Sequence, residues 1–231
     1  MVDIHSESEF EAIIENLLCQ TKSLDLNERL LVGVCGVAGS GKTFISNKIT
    51  KLLNERSNES KSNFDIAVCL SMDGFHYTKQ QLLKFKDPEL AIKRRGAHWT
   101  FDAHGFVNKV IQLKYSKNII YFPSFDHAKG DPVFDSILVD KNIQIVIIEG
   151  LYTCMTNIEP WNQLSGVWDQ TWYIKPKDQA KTLNRLAQRH VKSGIEPNIE
   201  SALQRIESND NKNAETIIQN IPSKFNYVIY N

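Results

Sequence analysis

Gly36-Val-Ala-Gly-Ser-Gly-Lys-Thr43 lies between an apolar run and an amphipathic one, and its reading decides the fold. It fills every defined position of GxxxxGK[ST]. Such a loop turns its backbone N–H groups inward around a phosphate, and glycines make that turn possible. The helix that follows presents an N-terminus worth about half a positive charge. Lys42 is placed to reach the β- and γ-phosphates, and the Thr43 hydroxyl to coordinate Mg²⁺. The expected nucleotide-binding set is Gly36, Val37, Ala38, Gly39, Ser40, Gly41, Lys42, Thr43 and Phe44.

The loop is preceded by Leu30-Leu-Val-Gly-Val-Cys35, a short, β-branched, apolar run. Similar runs are Ile66–Leu70, Ile119–Phe122, Ile143–Ile148, Thr171–Ile174 and Tyr227–Tyr230. Strands buried on both faces have this composition, because helices cover both sides of a parallel sheet. Apolar residues at helical spacing lie over 6–20, 44–53, 106–113 and 180–191. Alternation of this kind predicts an α/β fold: a doubly wound, mainly parallel sheet in a three-layer α/β/α sandwich. Residues 1–231 read as a single domain. Ser57–Asn63 reads as a polar, mobile loop, and Ser208-Asn-Asp210 as the cap of a helix running to Gln219.

In open α/β sheets ligands bind at the carboxyl ends of the strands. The run ending at Leu70 leads into Ser71-Met-Asp73-Gly-Phe-His-Tyr77, and the run ending at Ile148 delivers Glu149. Asp73 and Glu149 are therefore expected to converge near the γ-phosphate. One can accept the proton of an attacking hydroxyl; the other can support the metal. The base-reading Asn-Lys-x-Asp of GTPases is absent: Asn47-Lys-Ile-Thr50, Asn108-Lys-Val-Ile111 and Asn211-Lys-Asn-Ala214 all lack the aspartate.

Composition narrows the partners. Of 231 residues, 42% are hydrophobic, and 27 Lys+Arg balance 27 Asp+Glu. That balance argues against a polyanion-binding surface, so no nucleic-acid partner is expected. No apolar run approaches the ~20 residues of a membrane span, and Met1–Phe10 lacks a basic n-region and an apolar h-region. The expected location is the cytoplasm, with no membrane partner. Cys19, Cys35, Cys69 and Cys154 show no metal-like spacing and read as free thiols; His98, His104 and His127 show none either.

Several further motifs occur in order: Met72-Asp-Gly-Phe75, Ile148-Glu-Gly150, the block Arg94-Arg-Gly-Ala-His-Trp-Thr-Phe-Asp-Ala-His-Gly-Phe106, Pro123-Ser-Phe-Asp126, and Arg185-Leu-Ala-Gln-Arg189. Together with the loop they resemble the uridine kinase / pantothenate kinase / phosphoribulokinase superfamily of P-loop kinases, over about residues 28–221. The likeness is greatest to its nucleoside/nucleotide kinase-like branch. This resemblance implies an ATP- and Mg²⁺-dependent kinase acting on a hydroxyl of a small metabolite, with a small helical lid. Asp73 matches the proposed base, Glu149 the carboxylate after the Walker B strand, and Arg185 and Arg189 the lid arginines. Lys42, Asp73, Arg185 and Arg189 are then the catalytic set, and Thr43 and Glu149 the metal set. Residues 1–27 would be an N-terminal helix, 75–130 the acceptor region and 180–198 the lid. Asp73, Phe75, Arg95, Asp102, Asp126, His127 and Glu149 are the acceptor-site candidates. Uridine kinases carry fuller versions of the Phe101-Asp102 and Phe125-Asp126-His127 segments, so pantothenate-like, sugar and glycerate-like acceptors stay open beside uridine. A nucleotide-binding regulator without turnover is the alternative from another class.

Overall fold

The P-loop run is a strand at the middle of a sheet whose two faces are both covered. The computed structural model describes residues 1–25, 27–59 and 64–231. In chain order the strands are β1 (Val2–Ile4), β2 (Leu30–Cys35), β3 (Ala67–Ser71), β4 (Ile120–Asp126), β5 (Asp131–Val139), β6 (Ile145–Glu149), β7 (Gln170–Lys175) and β8 (Tyr227–Tyr230). Six of them form one parallel sheet in the order β1-β8-β7-β2-β6-β3. The helices are α1 (Phe10–Thr21), α2 (Lys42–Glu59), α3 (Lys79–Leu82), α4 (Pro88–Lys93), α5 (Ala103–Tyr115), α6 (Gln179–Lys192), α7 (Ile199–Arg205) and α8 (Asn211–Asn220).

The two-residue period of a strand sends alternate side chains into two cores. Val146 and Ile148 of β6 join Phe106, Val110 and Trp161 on the α5 face. Ile145 and Ile147 join Ile13, Leu17, Ile49 and Leu53 on the face covered by α1 and α2. A fully buried Leu, Ile or Val is worth roughly 1.5–3 kcal/mol, so the continuous apolar strands hold both layers at once. The three-layer arrangement read from the sequence is the one observed.

Three local expectations are corrected. Ile119–Phe122 leads into β4, which pairs antiparallel with β5 in a separate two-stranded sheet. Tyr121 and Leu138, paired across it, are both exposed, so this hairpin is not buried on two faces. Ser57–Asn63 is not all loop: α2 continues through Glu59, and 60–63 lie outside the described residues. Ser208-Asn-Asp210 caps nothing. The chain runs helically from α7 into α8 through a π turn, Ile206–Asp210, and Asp210 makes no capping hydrogen bond. The short strand β1 and the nine-residue strand β5 have no counterpart in the sequence reading.

Candidate active site

Three consecutive strands of the sheet, β2, β6 and β3, carry the site. β2 ends in the phosphate loop, β3 in the 3₁₀ turn Met72–Phe75, and β6 in Glu149. β6 lies between β2 and β3, with Val34 in register with Glu149 and Glu149 with Ser71. Residues distant in sequence are thereby delivered to one edge.

Two glycines show why the loop needs its composition. Gly39 has φ +74°, and a Cβ there would stand 3.2 Å from the Thr182 carbonyl oxygen of α6. Gly41 has φ +95° and faces Asn231, whose Nδ2 donates to the Ser40 carbonyl at 2.9 Å. The loop is therefore wedged between α6 and the end of β8, and a side chain at either glycine would be both strained and blocked.

Lys42 is 8% exposed, and its Nζ donates to the Val37 carbonyl at 3.0 Å. Burial draws its pKa down; Glu149 opposes that, Arg189 adds to it, and Asp73 opposes it. Glu149 is 5% exposed and accepts from Thr43 Oγ1 at 3.1 Å. Burial pushes its carboxyl up, Lys42 pulls it down, and the like charge of Asp73 pushes it up again. Lys42, Thr43, Asp73 and Glu149 thus form one electrostatic cluster.

Asp73 is the more open carboxylate, 36% exposed at its side chain. Its N–H donates to Ser71 Oγ at 3.3 Å, which shapes the turn. Its carbonyl accepts from His76 Nδ1 at 2.9 Å, and its carboxylate lies 4.0 Å from the same nitrogen. The sequence reading passes over His76, although it stands three residues after Asp73 at the same strand end. The ring lies 3.9 Å from that of Phe101 and 4.9 Å from that of Phe125, centroid to centroid. Burial draws its pKa down, against the pull of Asp73. A neutral ring that donates from Nδ1 leaves Nε2 as an acceptor.

The other acceptor-site candidates have structural partners. Phe75 is buried and meets Phe106 and Phe122 edge to face, and it also lines the pocket that Asp102 borders. Asp102 caps α5 by accepting from Gly105 N at 2.9 Å; it also borders a pocket with His76, Tyr77, Lys109, Tyr121 and Phe134. Asp126 accepts from the N–H groups of Lys129 and Ala128 in the β4–β5 turn, which hold its carboxyl below the ordinary 3.8. Arg95 braces the region: it donates to the Tyr77 carbonyl and to Asp131 Oδ1, each at 2.8 Å, and to the Gly130 carbonyl, and it lies over the Phe125 ring. His127 is exposed beside Phe125.

Arg185 and Arg189 are exposed on α6. Arg185 Nη2 donates to Thr182 Oγ1 at 3.0 Å. Arg189 is the one whose charge is felt at Lys42. Leu186 and Ala187 of α6 pack with Ala202 and Ile206 in a small apolar cluster separate from the two main cores, and Ala38 of the loop packs against it. Phe44 is 58% exposed, with Lys48 over its ring.

The donor set suits a magnesium nucleotide. Thr43 Oγ1 and a Glu149 carboxylate oxygen are hard oxygen ligands side by side, the kind Mg²⁺ takes alongside phosphate and water. The buried Ser40 Oγ has no hydrogen-bond partner among the described residues.

The sequence model of the Phosphoribulokinase / Uridine kinase family matches residues 31–225. A Schizosaccharomyces pombe protein provisionally named a uridine kinase is 37% identical over 195 residues, 84% of this chain and 80% of its own length. The ATP-dependent kinase-like protein notR′ of Aspergillus versicolor is 40% identical over 153 residues, 64% of this chain and 88% of its own. Among solved structures, YFH7 of Saccharomyces cerevisiae, provisionally described as a P-loop-containing kinase with a circular permutation, superposes with a TM-score of 0.81 at 23% identity. The match covers 96% of this chain and 99% of that one, a likeness of fold.

Proposed function

The chain belongs to the phosphoribulokinase / uridine kinase family, and on that premise we propose an ATP- and Mg²⁺-dependent kinase that phosphorylates a hydroxyl of a small metabolite. The observation that carries this reading is the convergence of Lys42, Thr43, Asp73 and Glu149 at the ends of β2, β3 and β6. Burial and exposure divide the carboxylates. Glu149, buried and bonded to Thr43, would hold Mg²⁺ with it; the ion, when bound, neutralises charge on the phosphates. Asp73, the open one, receives the proton of the acceptor hydroxyl. As that oxygen bonds to the γ-phosphorus, the bond from phosphorus to the β,γ-bridging oxygen breaks and its electrons leave with ADP.

Lys42 exchanges the Val37 carbonyl for phosphate oxygens. Arg189, with Arg185, closes from α6 over the same phosphates, where guanidinium forks match their geometry. His76 positions the Asp73 turn and presents Nε2 on the acceptor side.

Uridine or a related nucleoside is the first acceptor to test. The hydrogen bonds of Asp102 and Asp126 to local backbone favour a second reading, a pantothenate-like, sugar or glycerate-like acceptor held by other groups. Incubation with Mg·ATP and a panel of uridine, cytidine, pantothenate, a hexose and glycerate, read by product mass, separates these. One acceptor should gain a phosphoryl group. Tight ATP binding with no acceptor-dependent ADP release would instead favour the non-catalytic regulator. Asp73→Asn should lower turnover roughly 10²–10⁴-fold at unchanged ATP affinity. Lost ATP affinity would recast Asp73 as a metal ligand.

A further inference from the structure

Between α7 and α8 the helix widens into the π turn Ile206–Asp210. Such turns are rare and recur at functional sites; widening interrupts the regular i→i−4 ladder and changes which groups the backbone can serve. Here two consecutive residues of the turn serve two different parts of the molecule.

Asn209, 2% exposed, donates from Nδ2 to the Arg95 carbonyl at 3.2 Å, and Arg205 Nη2 donates to that carbonyl at 3.4 Å. Arg94 answers from the other side. Its Nη1 donates to the carbonyls of Ser208 and Asn209 at 3.2 and 3.4 Å, and its Nη2 to Asn213 Oδ1 at 3.0 Å. The next residue, Asp210, faces α6: its Oδ2 lies 3.0 Å from His190 Nε2. His190 is 5% exposed, follows Arg189 directly, and finds no hydrogen-bond partner for Nδ1 among the described residues. The 94–96 segment is tied a second time, because the Gly96 carbonyl accepts from Tyr152 Oη at 2.6 Å, three residues after Glu149.

We propose that the π turn is a positioning element that couples the placement of α6, with Arg189, to the conformation of the 94–101 segment on the acceptor side. The inference rests on the kinase reading above. The bonds are partly shielded, and Asn209, Asn213 and His190 are themselves buried, so a movement of one partner alone leaves a buried polar side chain unpaired, which is disfavoured. The arrangement therefore favours states in which α6 and the 94–101 segment move together. In a kinase, such coupling brings the arginine over the phosphates when the acceptor side is formed and discriminates against transfer to water.

Amide hydrogen exchange on the full chain, with and without Mg·AMP-PNP, tests this. In the wild type the nucleotide should protect 36–43 and 179–192 and, through the turn, 94–101. Asp210→Ala should keep the protection at 36–43 and lower the gain at 94–101 by about fivefold or more, the lower end of ordinary coupling between sites. Asp210→Asn should restore it, since its amide oxygen still accepts from His190 Nε2. Arg94→Lys, which loses the planar fork, reaches the turn from the opposite side and should lower the gain at 94–101 while 179–192 stays protected. This second variant decides the same question if Asp210→Ala does not fold. Protection at 36–43 with none at 94–101 in the wild type, or full propagation in the variants, overturns the coupling alone. Unprotected amides at 36–43 overturn the kinase reading and the coupling together.

Discussion

Two buried cations flank β2, and they are bonded differently. Arg29, just before the strand, is fully buried and donates to five backbone carbonyls: Ile143, Leu113, Ser116, Asn118 and Asp140. Lys114 reinforces that end by bridging the Arg29 carbonyl and Asp169, while Asp169 accepts the Leu31 N–H at 2.7 Å. Lys42, beyond the other end, has one carbonyl and the fields of Glu149 and Asp73. Burial lowers the pKa of both cations. The difference lies in saturation. Arg29 has used its guanidinium on the chain itself, so it clamps the start of the sheet; among the described residues Lys42 has donors left over, which suits the proposed contact with a phosphate. A buried cation alone says little, whereas its unfilled valence says what it is for.

The sharpest way to break this comparison is to remove each cation. Arg29→Met should cost at least about 3 kcal/mol in denaturant unfolding, because five backbone carbonyls, buried or partly buried, lose their donor at once. It should leave nucleotide affinity unchanged in the folded fraction. Lys42→Ala should do the reverse: a loss of roughly 10²–10³-fold in turnover, with a smaller stability loss than Arg29→Met. Equal stability losses for the two would erase the distinction.

A smaller effect is expected at the partner of Lys42. Glu149→Gln removes a carboxylate that burial holds above the ordinary 4.5. A group raised in the fold contributes stability below its unfolded value and loses that contribution as pH rises through its folded value. The variant should therefore compare most favourably with the wild type, by thermal melting without ligand, at neutral pH, and lose that advantage toward pH 4.5. Calorimetry of ATP binding should show the benefit of added Mg²⁺ reduced about 10–100-fold.

The smallest effect concerns His76, whose pKa is depressed from 6.5 mainly by burial. Depression means that its contribution to stability is full above 6.5 and is lost as pH falls through the folded value. Each proton taken up preferentially by the unfolded chain gives a slope of at most about 1.4 kcal/mol per pH unit. His76→Gln should flatten the unfolding-energy profile below pH 6.5; an unchanged slope would place the titration elsewhere, with His98, also depressed by burial, the next group to test.

Legibility in the sequence follows the range of the interactions. Gly36–Thr43 is readable because its backbone geometry, its lysine and its hydroxyl are adjacent in the chain. Asp73 and Glu149 are readable because strand ends converge in a parallel sheet. Asp102 and Asp126 are not legible as to role, since a carboxylate that caps a helix or closes a turn has the same letter as one that binds a hydroxyl. His76 escapes because its burial between Phe101 and Phe125 depends on packing between separate segments. The β4–β5 hairpin escapes because a short apolar run carries no record of which strand it will pair with.

By itself, the sequence determined the α/β class, the phosphate loop and the strand ends that supply its carboxylates, because these rest on local backbone conformation and on periodicity. The tertiary structure alone decided that Arg29 is saturated and Lys42 is not, that Glu149 is buried where Asp73 is open, and that Asn209 and Asp210 face opposite ways from one π turn. Burial and hydrogen-bond saturation depend on partners that only folding brings together: Arg29 meets the Ile143 carbonyl across 114 positions of chain.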